Sequence, residues 1–250
     1  MNNFDPSDYS PAADLLADRV ILITGAGAGI GRAIAKAFSA HGATVVLTSR
    51  TPKNLETLRD EIVADGHPRP AILPMDLARA NKPSFQQLAD RINDASGRLN
   101  GIVHNAGILG PRLPIENYDE TTWNEVMHLN LTVPFVMTQA LLPLLRAADD
   151  ASIIFTSSGV GRKGRAGWGA YAVSKFGTEG LSQVLADELA DTSIRVNCIN
   201  PGRTRTAMRA AAYPEEDPNT LLSPEAIVAV YLYLMGPDSQ GINGQSLNAQ

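Results

Sequence analysis

Cysteine and histidine are scarce in this chain of 250 residues, and each scarcity removes a class of site. Cys198 is the single cysteine, so no intrachain disulfide can form, which is typical of proteins from a reducing compartment. The four histidines, His41, His67, His104 and His128, show no spacing typical of metal ligands. We therefore expect neither a disulfide framework nor a bound metal.

Long apolar runs are missing as well. A membrane-spanning helix needs about 18 consecutive apolar residues, but Pro134 and Pro143 interrupt the most apolar segment, LTVPFVMTQALLPLL. Residues 1–17 are acidic and lack the basic start and apolar core of a secretory signal. A net charge of −5 argues against a nucleic-acid surface. The composition therefore predicts a cytoplasmic protein that binds no membrane and no nucleic acid.

Short apolar runs alternate with helical patterns along the chain, at the spacing of βαβ units. The predicted strands cover residues 20–24, 44–48, 71–74, 101–104, 152–156, 195–199 and the region of Ser246, and the predicted helices cover residues 30–40, 54–64, 84–93, 121–145, 170–190 and 224–235. This pattern predicts an α/β fold of the Rossmann type, a doubly wound, mostly parallel sheet flanked by helices. We expect a polar N-terminal extension over residues 1–17 and a single domain over residues 18–250.

A glycine-rich segment, TGAGAGIG at residues 24–31, joins the first strand to the first helix. Gly25, Gly29 and Gly31 are spaced GxxxGxG. Glycines permit a tight turn and a close backbone approach, and the helix N-terminus offers N–H groups to a pyrophosphate. A glycine-rich turn alone is weak evidence, but its position between strand and helix predicts a dinucleotide site.

The end of the second predicted strand, Thr48-Ser49-Arg50, indicates which dinucleotide binds. An acid at this place holds the free ribose 2′-hydroxyl of NAD, whereas a basic residue accommodates the 2′-phosphate of NADP. Arg50 offers bidentate hydrogen bonds to a phosphate, so we expect NADP(H) to be favoured over NAD(H). The alternative is that Arg50 is a solvated residue before the next helix.

Tyr171 and Lys175 are spaced i and i+4, which places both side chains on one face of a helix. A cation beside a tyrosine lowers the phenol pKa and suits the pair to proton transfer, although such a pair alone is more often a solvated helix edge. Ser158 precedes Tyr171 by 13 residues and follows the fifth strand. A serine hydrolase is disfavoured because TSSGV lacks the GxSxG pattern and no histidine follows residue 158.

Six features in one order carry a family resemblance over residues 18–250. They are TGAGAGIG at residues 24–31, HNAG at residues 104–107, Asn130, Ser158, YAVSK at residues 171–175 and PGRTRT at residues 201–206. With them the chain resembles the short-chain dehydrogenase/reductase family, and it looks closest to a YciK-type subfamily of bacterial oxidoreductases. The resemblance implies interconversion of a carbonyl and an alcohol with a nicotinamide cofactor.

The resemblance also implies residue roles. Tyr171 is the expected general acid and base, Lys175 lowers its pKa and holds the nicotinamide ribose, and Ser158 binds the substrate oxygen. Asn130 matches a fourth catalytic position. The cofactor is expected at Thr24, Gly25, Gly27, Gly29, Ile30, Gly31, Ser49, Arg50, Asp76, Leu77, Asn105, Ala106, Gly107, Tyr171, Lys175, Pro201, Gly202, Thr204 and Thr206. Thr204 departs from the family, which usually has valine or isoleucine there.

Pro134 lies four residues after Asn130 and has no N–H with which to bond the Asn130 carbonyl. We expect a kink in the long helix and a free carbonyl that, by resemblance, binds a water leading to Lys175. A proline that merely bends the helix is the alternative.

The substrate pocket is expected between residues 108–118, 159–168 and 203–222, and the last segment is long enough to be a lid. Its basic residues indicate either an anionic substrate group or ordinary solvated loops; they are Arg112, Arg162, Lys163, Arg165, Arg203, Arg205 and Arg209. The substrate itself, a small carbonyl or alcohol, is not identified.

Two other functions deserve comparison. A 3-ketoacyl thioester reductase of the same family needs basic residues to dock an acidic carrier protein, but acidic and neutral residues stand at those places; they are Asp149, Asp150, Ser152, Asp187, Glu188, Asp191 and Thr192. A non-catalytic NADPH sensor would not need all four catalytic positions. By family analogy we expect a homotetramer or homodimer formed through the helices at residues 121–145 and 170–190.

Overall fold

The sheet confirms the predicted architecture. A computed structural model describes residues 8–250. Its seven strands are all parallel, in the order β3-β2-β1-β4-β5-β6-β7. They are β1 (Val20–Thr24), β2 (Thr44–Thr48), β3 (Ala71–Ile72), β4 (Gly101–His104), β5 (Ala151–Thr156), β6 (Ile194–Asn200) and β7 (Ser246–Asn248). The strand order reverses between β1 and β4, and open α/β sheets bind ligands at such a switch point.

Helices cover both faces of the sheet. They are α1 (Gly29–Ala40), α2 (Pro52–Ala64), α3 (Lys82–Ser96), α4 (Glu120–Met127), α5 (Val133–Arg146), α6 (Gly169–Glu188), α7 (Ala207–Ala212) and α8 (Ala229–Met235). Successive side chains of a strand point to opposite faces of the sheet, so each strand contributes residues to the hydrophobic core on both faces. Leu22 packs with α3 and α5, whereas Ile21 and Ile23 pack with α1, α2 and α8. Burial on both faces explains why the strands are continuous apolar runs.

The predicted helix over residues 121–145 is interrupted. The structure has α4, a π-helical turn at His128–Thr132, and then α5. Pro134 cannot donate to the Asn130 carbonyl, and the wider turn is closed by the Val133 N–H, which donates to the carbonyl of His128. The break therefore occurs where the proline predicts it, as a widened turn.

The segment Glu120–Arg146 is long and apolar enough to cross a membrane, with a mean hydropathy of 1.3. Half of its most apolar stretch is buried inside the protein. Met137 and Leu141 are fully buried in the core between α5 and the sheet. This burial is what a core helix of a globular domain requires.

Three smaller elements differ from the prediction. The predicted helix over residues 224–235 is a 3-10 turn, Pro224–Ile227, followed by α8. β3 covers only Ala71–Ile72, although the N–H groups of Leu73 and Met75 still donate to the carbonyls of Leu47 and Ser49 on the side of β2. The predicted lid loop contains a helix, α7, whose N-cap is Thr206; its hydroxyl accepts a hydrogen bond from the Arg209 N–H.

Residues 1–7 of the expected N-terminal extension lie outside the described residues. The rest of the extension contacts the domain. Leu16 is fully buried, its N–H donates to the carbonyl of His41, and Leu15 packs close to Gly236. The boundary at residue 18 stays a prediction.

Candidate active site

The glycine-rich loop between β1 and α1 is tight enough to require its glycines. Gly25 and Gly29 have φ values of +67° and +54°, a region that favours glycine. A Cβ on Gly31 would overlap the Gly25 carbonyl oxygen and lie 2.6 Å from Asn105 Nδ2. The N-cap of α1 is Ala28, which has no side-chain group to cap the first N–H groups. The helix N-terminus therefore offers those donors to an anion.

Thr24 joins this loop to the loop after β4. Its hydroxyl donates to the Val103 carbonyl and accepts hydrogen bonds from the N–H groups of Asn105 and Ala106, at 2.9 and 3.0 Å. The Asn105 side chain returns a bond to the Thr24 carbonyl at 3.1 Å. The two strand ends at the switch point are thus held together by four hydrogen bonds.

A cleft of about 500 Å³ opens at the carboxyl ends of the strands. Most of the predicted cofactor residues line it: Gly25, Gly27, Gly29, Ile30, Ser49, Arg50, Asp76, Leu77, Asn105, Ala106, Gly107, Tyr171, Lys175, Pro201 and Thr206. Four of the predicted residues do not line it. Thr24 and Gly31 support the loop from behind, the Thr204 hydroxyl donates to the Pro201 carbonyl, and Gly202 faces Gln250.

The residues at the end of β2 fit an NADP-type dinucleotide. The Ser49 hydroxyl is buried, lines the cleft and has no hydrogen-bond partner in the described part of the chain. Arg50 is exposed beside it, and no carboxylate of residues 8–250 pairs with it. A buried polar atom without a partner is costly unless a ligand or water satisfies it. A hydroxyl and a guanidinium at this place suit a phosphorylated ribose.

Tyr171 and Lys175 extend from the first two turns of α6 into the cleft. The Ser158 hydroxyl lies close to the Tyr171 phenol and acts to lower its pKa. Lys175 Nζ lies 5.7 Å from the centre of the tyrosine ring and donates to the Thr156 carbonyl at 2.7 Å. The structure therefore brings the predicted serine, tyrosine and lysine together at the end of β5.

The pKa of Tyr171 moves in the direction opposite to the sequence expectation. Burial raises it to about 12, and only the hydrogen bond with Ser158 acts against this. Burial also lowers the pKa of Lys175 to about 8. The Lys175 ammonium is directed at the Thr156 carbonyl rather than at the phenol. Burial of Tyr171 therefore outweighs the effect of the ammonium on the phenol pKa. At neutral pH the phenol is therefore protonated, which is the form that donates a proton.

Asn130 lies in the π-helical turn and is almost fully buried. Its side-chain oxygen accepts from the Ile108 N–H and its Nδ2 donates to the Ile108 carbonyl, both at 2.9 Å. Nδ2 also donates to the Ser174 hydroxyl. The Asn130 carbonyl, expected to be free, accepts a long bond of 3.4 Å from the Thr178 hydroxyl. In this geometry Asn130 positions the loop after β4 against α6.

The match to known proteins agrees with this geometry. The family model for short chain dehydrogenases matches residues 19–217. This chain belongs to that family. It is therefore an oxidoreductase acting on CH–OH and C=O groups.

Several relatives are similar over nearly the whole chain. The Escherichia coli K12 oxidoreductase YciK is 49% identical over 97% of this chain and 96% of its own length. A short chain dehydrogenase structure from Pseudomonas syringae is 56% identical, with a TM-score of 0.96 over 97% of this chain and 99% of its own. A short chain dehydrogenase of Escherichia coli CFT073, solved with NADPH, is 50% identical, with a TM-score of 0.94 over 96% of this chain and 100% of its own.

The cleft of this dehydrogenase is also lined by residues that the sequence analysis assigned neither to the cofactor nor to the substrate pocket. They are Ala28, Thr51, Asn54, Met75, Ala78, Leu129, Thr156 and Ser157. Most of them neighbour a predicted residue, which is the signal that could have found them. Asn54 is different, because it reaches the cleft from the first turn of α2, and only packing against Gly27 places it there.

An aromatic cluster packs beside Tyr171 of this dehydrogenase. The Trp168 ring lies 5.8 Å from the ring of Tyr171 and 6.0 Å from that of Tyr213. Leu109 and Met208 are packed against the same cluster. Leu109, Trp168, Met208 and Tyr213 come from all three segments expected to form the substrate pocket, and they meet in this cluster.

Proposed function

We propose that this chain is an NADP(H)-dependent oxidoreductase that interconverts a small carbonyl compound and an alcohol. When bound, the cofactor supplies or accepts the hydride at the carbonyl carbon. The carbonyl oxygen receives its proton from the Tyr171 phenol, so that ketone, NADPH and one proton give alcohol and NADP⁺. The observation that carries the proposal is the position of Tyr171 and Lys175, which lie together in the cleft that the dinucleotide loop also lines.

The side chains divide the work. Ser158 is placed to share the carbonyl oxygen with Tyr171, because its hydroxyl already contacts the phenol. Lys175 is fixed by its hydrogen bond to the Thr156 carbonyl. Its other N–H donors can bind the nicotinamide ribose and help to return a proton to the phenolate that remains after proton donation. Asn130 acts through other groups and is a positioning residue rather than a catalytic one.

The test of this function is a screen of NADPH oxidation with ketones, aldehydes, quinones and ketoacyl thioesters. Steady oxidation that depends on a carbonyl compound supports the proposal. Tight NADPH binding with no turnover in a broad panel would favour the non-catalytic NADPH sensor instead. The complete set of Ser158, Tyr171, Lys175 and Asn130 argues against the sensor, because sensing needs only the cofactor site.

A 3-ketoacyl thioester reductase is the alternative within the family. Docking of an acidic carrier protein requires a surface that is not acidic. Of the acidic residues at the expected docking surface, Asp150 forms ion pairs with Arg19 and Arg195 at 2.8 and 3.0 Å. That carboxylate is neutralised, but Asp187 and Glu188 at the end of α6 leave the region acidic. Turnover of acyl-carrier-protein thioesters at rates above those of simple ketones would establish this alternative.

NADP(H) is the cofactor we propose to be favoured over NAD(H), on the basis of Ser49 and Arg50. The NADPH complex of the related Escherichia coli CFT073 protein supports it. In Arg50→Gln we expect kcat/KM for NADPH to fall by about 10- to 100-fold, because the 2′-phosphate loses a charge-assisted hydrogen bond. The value for NADH should fall much less, since its ribose carries no phosphate.

The measurement is steady-state kinetics with both cofactors at saturating carbonyl substrate. Arg69→Gln removes an equally exposed charge outside the cleft and serves as the control. Equal losses with NADPH and NADH in Arg50→Gln, or an equal kcat/KM for the two cofactors in the wild type, would contradict the preference.

We also propose that the dehydrogenase is a homodimer or homotetramer in the cytoplasm. Helices α5 and α6 expose large apolar side chains, Phe135, Val173, Phe176 and Val184, with 43 to 55% of each accessible. A second copy would cover this face. In Phe135→Asp combined with Phe176→Asp, sedimentation should show a shift toward the monomer; a wild type that sediments as a monomer at micromolar concentration would refute assembly.

A further inference from the structure

The basic residues around the active site fall into different structural roles. Arg203 and Arg209 both bind Glu216, at 2.7 and 2.5 Å. Arg162 binds Glu179 and the β7 residues Ser246 and Asn248. These three charges are therefore committed to holding loops together.

Arg112 differs because no carboxylate of the described residues 8–250 pairs with it. Its guanidinium carbon lies 4.7 Å from the ring centres of both Trp168 and Tyr213. One N–H donates to the Ala212 carbonyl. A guanidinium has five N–H donors, so the remaining donors of Arg112 have no partner within residues 8–250. The charge is fixed in orientation yet still able to bind.

The position of Arg112 relates it to the reaction centre. Arg112 and Tyr171 both contact the Trp168 ring: the ring centres of Trp168 and Tyr171 are 5.8 Å apart, and the Arg112 guanidinium carbon lies 4.7 Å from the Trp168 ring centre. The Arg112 side chain also joins the loop after β4 to the C-terminal end of α7. Arg112 therefore lies on the same aromatic cluster as Tyr171, close to where a substrate held by Tyr171 would lie.

We propose that Arg112 recognises an anionic oxygen group, a carboxylate or a phosphate, on the carbonyl substrate of this enzyme. This rests on the proposed function, in which the carbonyl itself is held at Ser158 and Tyr171. A planar guanidinium matches the two oxygens of a carboxylate or phosphate. Contact with both rings and the hydrogen bond to the Ala212 carbonyl hold the guanidinium in place in advance, which lowers the entropy lost on binding. The substrate class is then an oxo acid or oxo phosphate with an apolar part that packs on Trp168.

Matched aryl ketones test the proposal. The probes are 4-acetylbenzoate, 4-acetylphenyl phosphate and the neutral 4-acetylbenzamide, each assayed with NADPH. In the wild type we expect kcat/KM for one anion to exceed that for the amide by about 10- to 100-fold, as for a charge-assisted hydrogen bond. The anion with the higher kcat/KM shows whether the group bound by Arg112 is a carboxylate or a phosphate. In Arg112→Gln this ratio should collapse toward one.

Two further variants separate recognition from a structural role. Arg69→Gln removes an exposed positive charge outside the pocket segments and the cleft and should keep the wild-type ratio. Arg112→Lys keeps the charge without the bidentate geometry, so its ratio of kcat/KM for the anion to kcat/KM for the amide should lie between those of Arg112→Gln and the wild type. If Arg112→Gln lowers kcat/KM equally for the acids and the amide, Arg112 merely holds the loop to α7 and the proposal is wrong.

A binding measurement tests the anion site at Arg112 independently of the proposed reductase activity. Calorimetric titration of the NADP⁺-loaded protein with the same probes needs no turnover. Tighter binding of an anion than of the amide, lost in Arg112→Gln, supports the anion site even where no probe is reduced. Equal affinities, or no binding of either anion, would overturn it whatever the reductase assay gives.

Discussion

Replacing Tyr171 with phenylalanine is expected to lower kcat/KM for carbonyl reduction by about 10²- to 10⁴-fold, the usual contribution of a positioned proton donor. Phenylalanine keeps the buried ring beside Trp168 and removes only the hydroxyl. We expect the dissociation constant of NADPH to change far less than the rate. Fluorescence titration with NADPH and stopped-flow turnover on one preparation measure both quantities.

The matched control for this variant is Tyr231→Phe. Tyr231 is fully buried in α8 and does not line the cleft itself; its hydroxyl lies 3.2 Å from that of Thr156, a residue that does. It therefore loses the same atom from a neighbouring position and should retain most of its turnover. A Tyr171→Phe enzyme that reduces carbonyls within tenfold of Tyr231→Phe would show that another group delivers the proton.

Gly31→Ala is expected to weaken the cofactor site through the backbone. The new Cβ would overlap the Gly25 carbonyl and crowd Asn105 Nδ2, whose hydrogen bond to Thr24 joins β1 to β4. Overpacking of this kind costs about 1–3 kcal/mol in the free energy of unfolding. Moving the loop also loses hydrogen bonds to the pyrophosphate, so we expect the NADPH dissociation constant to rise at least about tenfold.

Gly180→Ala provides the contrast, because it adds the same methyl group where nothing lies within 4 Å. Gly180 is exposed in the single chain, on the same face of α6 as Val173, Phe176 and Val184, and alanine there should stabilise the helix of the single chain by about 0.5–1 kcal/mol. The comparison therefore depends on NADPH affinity, which Gly180→Ala should leave unchanged. Urea unfolding measured with and without NADPH separates the two effects for each variant. If Gly31→Ala keeps the wild-type NADPH affinity and free energy of unfolding, the glycine-rich loop accommodates the added methyl group and the prediction is wrong.

Local patterns in the sequence are enough to predict the frame of this protein. The apolar strands, the glycine-rich loop and the i, i+4 pair of Tyr171 and Lys175 are each encoded within a few residues. Their order along the chain also fixes which strand ends meet at the switch point. For this reason 15 of the 19 expected cofactor residues line the cleft, and the serine, tyrosine and lysine lie together.

What the sequence could not supply depends on contacts between distant segments. The Tyr171 pKa is set by burial in the folded protein, which a helical pair of residues does not reveal. The free carbonyl expected at Asn130 meets Thr178 from another helix. The arginines of the pocket loops looked equivalent, and only the fold assigns Arg209 to Glu216 and leaves Arg112 without a carboxylate.

The binding of Arg162 to β7 connects the last strand to both sides of the cleft. Arg162 donates to Ser246, to Asn248 and to the Leu247 carbonyl, and the Gln250 side chain donates to the Pro201 carbonyl in the cleft. Residues 246–250 do not line the cleft, yet they hold the turn that follows Ser158 and the loop at Pro201 in place. Substitutions in this remote edge strand can therefore change kinetic constants without touching substrate or cofactor.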